Sequence, residues 1–564
     1  MEMFCYQCEE TVNGKGCSVQ GVCGKTAEVS HLQDVLIYLA KGISCFAVKA
    51  KELGLRDEEA SVFVMESLFS TVTNVNFDSE RIISLINKAF KIRSRVKSTF
   101  LGAYKEKYKM DFQEPLPDAA CWEREGHYEQ LLPNAKETGV LSQKDEDIRS
   151  LRELIVYGLK GLAAYADHAY VLGFKDESIF DFIEEALTAT LDDSLKTEEL
   201  LSFVIRTGEH SVKAMKLLDS ANTSFYGNPE ITEVFTGTKK GPGILVSGHD
   251  LKDLEEILKQ SEGHGVNVYT HGEMLPSLAY PALKKFKQFV GHYGTSWWNQ
   301  QKEFDSFNGA IVMTTNCLQK PKPSYKDRIF TTGLVAWPGV RHIENREKEG
   351  AKDFSPVIEK ALSLGGLEEK QGKTLTIGFA HHAVLAMADK VIEAVRQGKI
   401  KKFVVMSGCD GRHKEREHFT EAAEKLPKDH VILTSGCAKF RYNMLDLGDI
   451  DGIIPRILDA GQCNDSYSWA VVALKLKEVF GAKDINELPI SFDIAWYEQK
   501  AVCVLLALLY LGFKDIKLGP VLPAFLSPNV LKILVEKFRI EKTDIPEKDT
   551  PGSSSQDKTK FTNS

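Results

Sequence analysis

The chain has 564 residues, too many for a single hydrophobic core, so two to four domains are expected. Its composition is that of an ordinary soluble protein, with 43% hydrophobic and 27% charged residues. The net charge of −8 argues against a general affinity for nucleic acid or anionic membrane, because phosphate binding needs a basic surface.

The first predicted feature is a group of four cysteines in MFCYQCEETVNGKGCSVQGVC, with the spacing C-x2-C-x8-C-x5-C. Thiolates this close in sequence, with glycines between them that allow tight turns, can surround one metal centre. Such a set suits zinc or a [4Fe–4S] cluster, and the absence of paired C-x2-C knuckles favours iron–sulfur. The whole chain has 11 cysteines, an odd number, which indicates metal ligation in a reducing compartment rather than a disulfide framework. The four residues are Cys5, Cys8, Cys17 and Cys23.

A helical domain is predicted for residues 1–225, and it contains an internal repeat. The stretch LIYLAKGISCFAVKAKELGLRDEE resembles LIVYGLKGLAAYADHAYVLGFKDES. Lys41-Gly42 matches Lys160-Gly161, so the copies are 119 residues apart. Each copy is followed by two more helical patterns with an apolar stripe. We therefore predict two duplicated three-helix bundles.

From about Gly241, short β-rich runs alternate with helical stretches, which indicates parallel sheets. The runs are ILVSG, VNVYT, AIVMTT, RIFTTG, LTIGFA, FVVMSG, VILTSG and PISFDI. A charged loop at 345–353 places the boundary between two Rossmann-like α/β domains nearby. We predict these domains at 226–350 and 351–545, followed by a polar, disordered tail at 546–564.

Two features of the sequence bear on localisation. The polar and acidic start, MEMFCYQCEE, is unlike a signal peptide. The most apolar late stretch, 501–513, is too short to span a bilayer, so we interpret it as a buried helix. We expect a cytoplasmic protein without membrane insertion.

Several β-rich runs end on a good metal ligand, and parallel sheets place ligands at the carboxyl ends of their strands. One such cysteine alone is most often a small buried hydrophobe. Cys45 and Cys503 lie inside helical apolar patterns and Cys121 lies in a predicted loop, so we interpret all three as structural. The coincidence of many such ends in one half of the chain instead predicts a shared metal site. Its thiolates favour iron–sulfide chemistry, and its imidazole and carboxylates favour harder, substrate-accessible positions. The candidates are His249, Glu273, Cys317, Cys409, Cys437, Cys463 and Glu498, with Lys500 beside them as a proton donor or positive charge.

The motifs MFCYQCEET, VSGHD, THGEM, TNC, SGCDGR, TSGCAKFRYN, GQCND and WYEQK resemble those of the hybrid cluster proteins, also called prismane proteins or hydroxylamine reductases. The resemblance covers residues 1 to about 545 in the family's order and spacing. It implies a cubane [4Fe–4S] cluster on the four N-terminal cysteines. It also implies a hybrid [4Fe–2O–2S] cluster on the seven strand-end candidates, with Cys409 as a persulfide and Lys500 close by. The family fold is a helical domain of two three-helix bundles followed by two α/β domains.

The resemblance also implies a function. Family members reduce hydroxylamine to ammonia and water, and nitric oxide to nitrous oxide. The N-terminal cluster would relay electrons, and Glu498, Lys500, His249 or Glu273 would supply protons. Because no flavin or nicotinamide motif is visible, we expect a separate electron donor, such as a reductase, a ferredoxin or a rubredoxin.

Two alternatives stay open at the level of sequence. The first is a nickel-dependent carbon monoxide dehydrogenase, since that group resembles the hybrid cluster family in fold and in several ligand motifs. The second is a redox or nitric-oxide sensor that transfers nitrosyl groups to partner proteins. Nickel content with carbon monoxide oxidation would identify the first, and stable partner complexes with negligible turnover would identify the second.

Overall fold

The structure, a computed structural model, describes residues 3–122, 135–346 and 350–543. The predicted tail at 546–564 lies outside the described residues, as do residues 347–349 of the charged loop. The first part of the chain is helical. Its helices are α1 Ala27–Glu52, α2 Glu58–Ser70, α3 Ser79–Tyr108, α4 Asp118–Cys121, α5 Ala135–Thr138, α6 Glu146–Val171, α7 Glu177–Ala189 and α8 Thr197–Tyr226.

The predicted duplication is confirmed by the lengths of the helices. Helices α1 and α6 each have 26 residues, α2 and α7 each have 13, and α3 and α8 each have 30. Equivalent helices also begin in the same way, because Asp57 caps α2 and Asp176 caps α7. The two copies pack crosswise, with α1 against α7 and α2 against α6. The bundles therefore share one hydrophobic core rather than forming two separate ones.

The rest of the chain alternates strands and helices. The strands are β1 Thr232–Phe235, β2 Gly243–Ser247, β3 Asn267–His271, β4 Phe289–His292, β5 Ala310–Met313, β6 Ile329–Thr332, β7 Arg341–Ile343, β8 Thr374–Ile377, β9 Lys402–Gly408, β10 His430–Thr434, β11 Asp449–Ile450, β12 Ile454–Pro455, β13 Ile457–Asp459, β14 Ile490–Ala495, β15 Ile516–Gly519 and β16 Glu541–Lys542. The helices are α9 Leu251–Ser261, α10 Pro281–Lys284, α11 Gln300–Ser306, α12 Ser355–Ser363, α13 His381–Ala386, α14 Ala388–Arg396, α15 Glu417–Glu424, α16 Ser466–Phe480, α17 Gln499–Tyr510 and α18 Pro528–Phe538.

Two six-stranded parallel sheets organise this part, as the alternating pattern predicts. The first has the order β4-β3-β2-β5-β6-β7 and the second β13-β10-β9-β14-β15-β16. Counted within each sheet, both orders read 3-2-1-4-5-6, the doubly wound arrangement of Rossmann folds. The Rossmann-like prediction is therefore confirmed, whereas the domain boundaries at 225 and 350 stay predictions.

One predicted strand belongs elsewhere. LTIGFA was expected in a parallel sheet, but β8 pairs antiparallel with β1 in a separate two-stranded sheet. Its residues alternate between exposed and buried, which is typical of an antiparallel strand with one solvated face. The prediction of a loop around Cys121 is also wrong, because this exposed residue ends the short helix α4.

Helix α17 confirms the interpretation of 501–513 as buried. It packs against α6 and α8, the long helices of the second bundle copy. Glycines make this approach possible, since a Cβ at Gly161 would overlap the carbonyl oxygen of Gln499 and one at Gly208 would overlap that of Leu506. Within the described residues, none of the helices combines the length and apolar character that a membrane span requires.

We predict that Gly161→Ala destabilises the protein by about 1–3 kcal/mol, because the new methyl group pushes α17 away from α6. Turnover should fall as well, because α17 carries Lys500 at its first turn. Gly102→Ala in α3 is the matched control: a Cβ there meets no other atom within 4 Å. Alanine should stabilise that exposed helical position by up to about 1 kcal/mol. Denaturant unfolding of both variants checks this, and equal effects at the two glycines would contradict it.

Candidate metal centres

Both sheets reverse their strand order between the first and fourth strands, which opens a crevice at the carboxyl ends of those strands. In the first sheet His249 follows β2 and Cys317 follows β5. In the second sheet Cys409 follows β9 and Glu498 follows β14. Each crevice therefore carries two of the predicted donors.

The other three candidates follow neighbouring strands of the same sheets. Glu273 follows β3, Cys437 follows β10 and Cys463 lies beyond β13, a strand that the sequence pattern did not predict. Six of the seven candidates are buried and Cys317 is half-buried. Charge interactions join the thiols of Cys317, Cys409 and Cys437 to candidates from both sheets, so these residues lie near one another.

The closest approach of these donors joins the two sheets. The Nε2 atom of His249 lies 3.9 Å from Oε2 of Glu273, and the backbone N–H of Cys463 donates to that same oxygen at 2.9 Å. One donor atom from each of the three residues lies within 4.8 Å of the other two. Among the described residues, no other three His, Cys, Asp or Glu side chains come so close together.

Lys500 lies inside this donor set. Its Nζ is 2.9 Å from Nε2 of His249 and 3.7 Å from Oε1 of Glu498, and it donates to Oδ1 of Asn316 at 3.0 Å. Glu498 caps the N-terminus of α17 by accepting the backbone N–H of Lys500 at 2.8 Å. The cap therefore determines where the ammonium group lies relative to the histidine.

The ring of His249 is oriented by the segment before Cys317. Its Nδ1 lies 3.2 Å from the carbonyl oxygen of Asn316 and 3.3 Å from Oγ1 of Thr315. Because a carbonyl oxygen only accepts, Nδ1 carries the proton and Nε2 presents its lone pair. This is the tautomer that metal binding through Nε2 needs.

Burial sets the protonation of the donors. It raises the pKa of Cys463 to about 11 against the opposing charge of Lys500. It also raises the pKa of Cys317, Cys409 and Cys437, and nearby donors of the same set add to each of these shifts. The polypeptide alone thus favours neutral thiols. Bound cations would favour thiolates, so metal binding should release protons.

The pKa values of His249 and Lys500 are shifted in opposite directions. Burial, and next the ammonium of Lys500, lower the pKa of His249, so the imidazole stays neutral. Burial alone would lower the pKa of Lys500, but Cys463 and Glu498 outweigh it and the pKa is raised. A neutral imidazole and a protonated amine therefore lie side by side.

An unpartnered carboxylate oxygen shows that the donor set fits a metal centre. Oε1 of Glu273 is buried and has no hydrogen-bond partner, although buried carboxylate oxygens are normally satisfied. A cation between Glu273, His249 and Cys463 would satisfy it. Four thiols, one imidazole and two carboxylates also match a centre that mixes soft and hard metal positions.

The four N-terminal cysteines form a second candidate centre. Cys5 and Cys17 pair through their backbones, with N–H···O distances of 3.1 and 2.8 Å, and Lys25 Nζ lies 3.7 Å from the Cys5 sulfur. In this described segment no three sulfurs lie within 4.8 Å of one another. Four cysteine thiols are a donor set that zinc or an iron–sulfur cluster can take.

Several residues at these centres were missed by sequence reasoning. Asn316 and Thr315 stand inside the TTNC motif, so their position next to Cys317 was the available signal. Arg416 had none. Its fully buried guanidinium forms an ion pair with Glu9, which follows Cys8, and donates to the carbonyl oxygen of Cys409 at 2.7 Å. It therefore connects the two candidate centres.

The fold and the site together define a multidomain α and α/β protein whose buried cysteine, histidine and glutamate side chains fit metal binding. Residues 3–551 match the model of the Prismane/CO dehydrogenase family. The chain belongs to this family, and the predicted hybrid cluster resemblance is confirmed. The match spans both candidate centres and all described elements.

Individual relatives agree with this assignment. The protein named hydroxylamine reductase of Kosmotoga olearia is 66% identical over 549 residues, covering 97% of this chain and 99% of the relative. The protein of the same name from Halothermothrix orenii is 60% identical with the same coverage. The solved carbon monoxide dehydrogenase from Thermococcus sp. AM4 covers 97% of this chain and 88% of its own, with a TM-score of 0.53 at 19% identity. That likeness shows the fold alone.

Proposed function

We propose that this protein is an iron–sulfur oxidoreductase that reduces hydroxylamine to ammonia and water. Two electrons and two protons enter, the N–O bond breaks, nitrogen leaves as ammonia and oxygen as water. The observation that carries the proposal is the protonated Lys500 held 2.9 Å from His249 inside a mixed thiol, imidazole and carboxylate set. The relatives named hydroxylamine reductase, at 66% and 60% identity, support it.

The residues present define where the cofactors would be held. Cys5, Cys8, Cys17 and Cys23 would hold a [4Fe–4S] cluster. A hybrid [4Fe–2O–2S] cluster would be held by His249, Glu273, Cys317, Cys409, Cys437, Cys463 and Glu498. When bound, this centre supplies electrons and an iron position open to a small nitrogen oxide.

Three buried side chains can hold the protons that the reaction consumes. Lys500 holds one proton at Nζ, and burial raises the pKa of Glu498 and Glu273, which favours the protonated form of both carboxyls. All three are almost completely excluded from solvent. Protons would therefore pass to the substrate from positioned groups rather than from bulk water.

Turnover of the anaerobically prepared protein tests the proposal. Reduced methyl viologen would replace the separate electron donor that we propose, and dye oxidation, hydroxylamine loss and ammonia formation would be followed together. We expect one ammonia per hydroxylamine and two dye electrons. Iron-loaded protein that forms no ammonia would contradict the proposal.

The same assay separates the alternatives. Nitric oxide in place of hydroxylamine tests the second reduction, in which two molecules take up two electrons and two protons to give nitrous oxide and water. Bound nickel with carbon monoxide oxidation would favour the dehydrogenase alternative. Nitrosyl transfer to partner proteins with negligible turnover would favour the sensor alternative.

We predict that Cys17→Ala removes the N-terminal cluster, and with it about four iron atoms per chain, while the second centre keeps its iron. Cys17 belongs to the N-terminal set and not to the strand-end donors, so its loss should slow electron supply without removing the substrate site. Cys121→Ala is the control, because Cys121 is exposed and outside both sets. Iron analysis and electron paramagnetic resonance (EPR) spectra of both variants check this. Full iron content in Cys17→Ala would contradict the assignment.

A further inference from the structure

A charged cavity of about 110 Å³ lies between the first helices of the two bundle copies, beside Cys5. Helix α1 lines it with six residues, and each one has its repeat counterpart, 119 positions later, among the six from α6. Lys41 thus faces the cavity together with Lys160, and Asp34 together with Glu153. Equivalent positions of the two copies therefore line one cavity.

The copies differ in a way that makes the cavity basic. Where α1 has Ser30 and Gln33, α6 has Arg149 and Arg152. Together with Lys25 and the paired lysines, five basic side chains line the cavity against two acidic ones. An excess of buried positive charge favours an anion, because unpaired charges away from water are costly.

The basic groups are held in place rather than loose on the surface. Lys25 and Lys160 are each 6% exposed and Arg152 is 9% exposed. Lys160 donates to Oε1 of Gln7 at 2.9 Å, and Arg152 donates to Oδ1 of Asp193 at 2.9 Å. The Nε of Arg152, however, is buried and has no hydrogen-bond partner. The cavity therefore retains an unused donor.

We propose that this cavity binds a small inorganic oxyanion, of the size of phosphate or sulfate, and that the bound anion tunes the N-terminal centre. Arginine and lysine together suit such an ion, since arginine bonds oxygens in pairs and lysine acts as a point charge. The second half of the proposal rests on the [4Fe–4S] cluster of the proposed function. The binding site itself does not.

Lys25 provides the link between cavity and cluster. It lines the cavity, and its Nζ lies 3.7 Å from the Cys5 sulfur. Hydrogen bonds and charges at cluster sulfurs set the reduction potential. An anion that offsets the charge of Lys25 would make the added electron less favourable, so the oxidised protein should bind the anion more tightly. A tenfold difference in affinity corresponds to a shift of about 59 mV for one electron.

Titration calorimetry with inorganic phosphate and sulfate tests the site on anaerobic, full-length protein. We expect saturable binding of one ion, weakened about tenfold or more by Lys41→Gln and further by Lys41→Gln with Arg152→Gln. Acetate, which carries a single carboxylate, is titrated in the same way for comparison with phosphate and sulfate. The control variant, Lys91→Gln with Lys107→Gln, removes an equal number of positive charges from the exposed face of α3. Its affinity for the anion should be unchanged.

Three results would overturn the binding site: no saturable binding by the unmodified protein, unchanged affinity in Lys41→Gln, or equal losses in the surface control. Because Lys41→Gln leaves the Arg152 ion pair intact, it serves if the double variant fails to fold. For the tuning, EPR-monitored redox titration should give a lower midpoint potential with phosphate present. A potential independent of phosphate in protein that binds it would overturn the tuning. Protein without any cluster would instead count against the proposed function.

Discussion

Lys500→Gln is expected to lower kcat for hydroxylamine reduction by about 10²–10⁴-fold, the range that a positioned proton donor contributes. Glutamine can still bond Asn316 and Glu498, so the donor set should keep its geometry, but it has no proton to give. Iron content should stay unchanged because the lysine supplies no thiolate. Proton transfer should then limit turnover, and the solvent deuterium isotope effect on kcat should increase.

The isotope effect distinguishes proton donation from a purely structural role. A structural role would lower kcat but leave the isotope effect unchanged. Lys475→Gln is the control, since Lys475 bonds Glu478 on the exposed side of α16. That variant should match the unmodified protein in kcat and KM. A Lys500→Gln enzyme with full iron and normal kcat would contradict the proposed proton donor.

Arg416→Met is expected to reduce the free energy of unfolding by about 3–5 kcal/mol, because it leaves the buried carboxyl group of Glu9 without its partner. The Arg416 side chain is fully buried and also donates to the carbonyl oxygen of Trp496 at 2.6 Å. Its loss should loosen the N-terminal cysteine segment from the second sheet. Denaturant unfolding under anaerobic conditions, combined with Glu9→Gln in a double-mutant cycle, measures the coupling.

The cycle predicts that Glu9→Gln with Arg416→Met is much less destabilised than the sum of the single variants. Lys399→Met is the control, because its ion pair with Asp451 is about half exposed on both sides. Breaking that pair should cost no more than about 1 kcal/mol. Equal effects at the buried and exposed pairs would show that Arg416 has no special connecting role.

The strand-end donors could be predicted because an apolar run that stops on glycine and cysteine has a direct structural meaning. Cys409 and Cys437 follow such runs, and parallel strands bring those ends to one edge. Cys463 was harder to place, since its strand β13 has only three residues. The prediction of one shared metal site rested on the number of strands that end on a metal ligand, not on any single motif.

Contacts between distant segments lay beyond sequence reasoning. Glu9 and Arg416 are 407 positions apart, and no periodicity connects them. The antiparallel pairing of β8 with β1 was missed because a strand's partner depends on the tertiary fold rather than on its own composition. The repeat showed that Lys41 and Lys160 are equivalent, but only the packing shows that both line one cavity.

The crosswise packing of the bundle copies has the form of an isologous interface, the kind that two identical subunits make around a two-fold axis. Joining both copies in one chain keeps that interface permanently assembled and lets each side change alone. The matched glycines show the result: Gly42 admits the backbone of Ala119, whereas Gly161 admits that of Gln499. Equivalent glycines thus have different roles in the two copies: Gly161 lets α17, which carries Lys500, pack closely, and Gly42 lets the segment at Ala119 pack within its own copy.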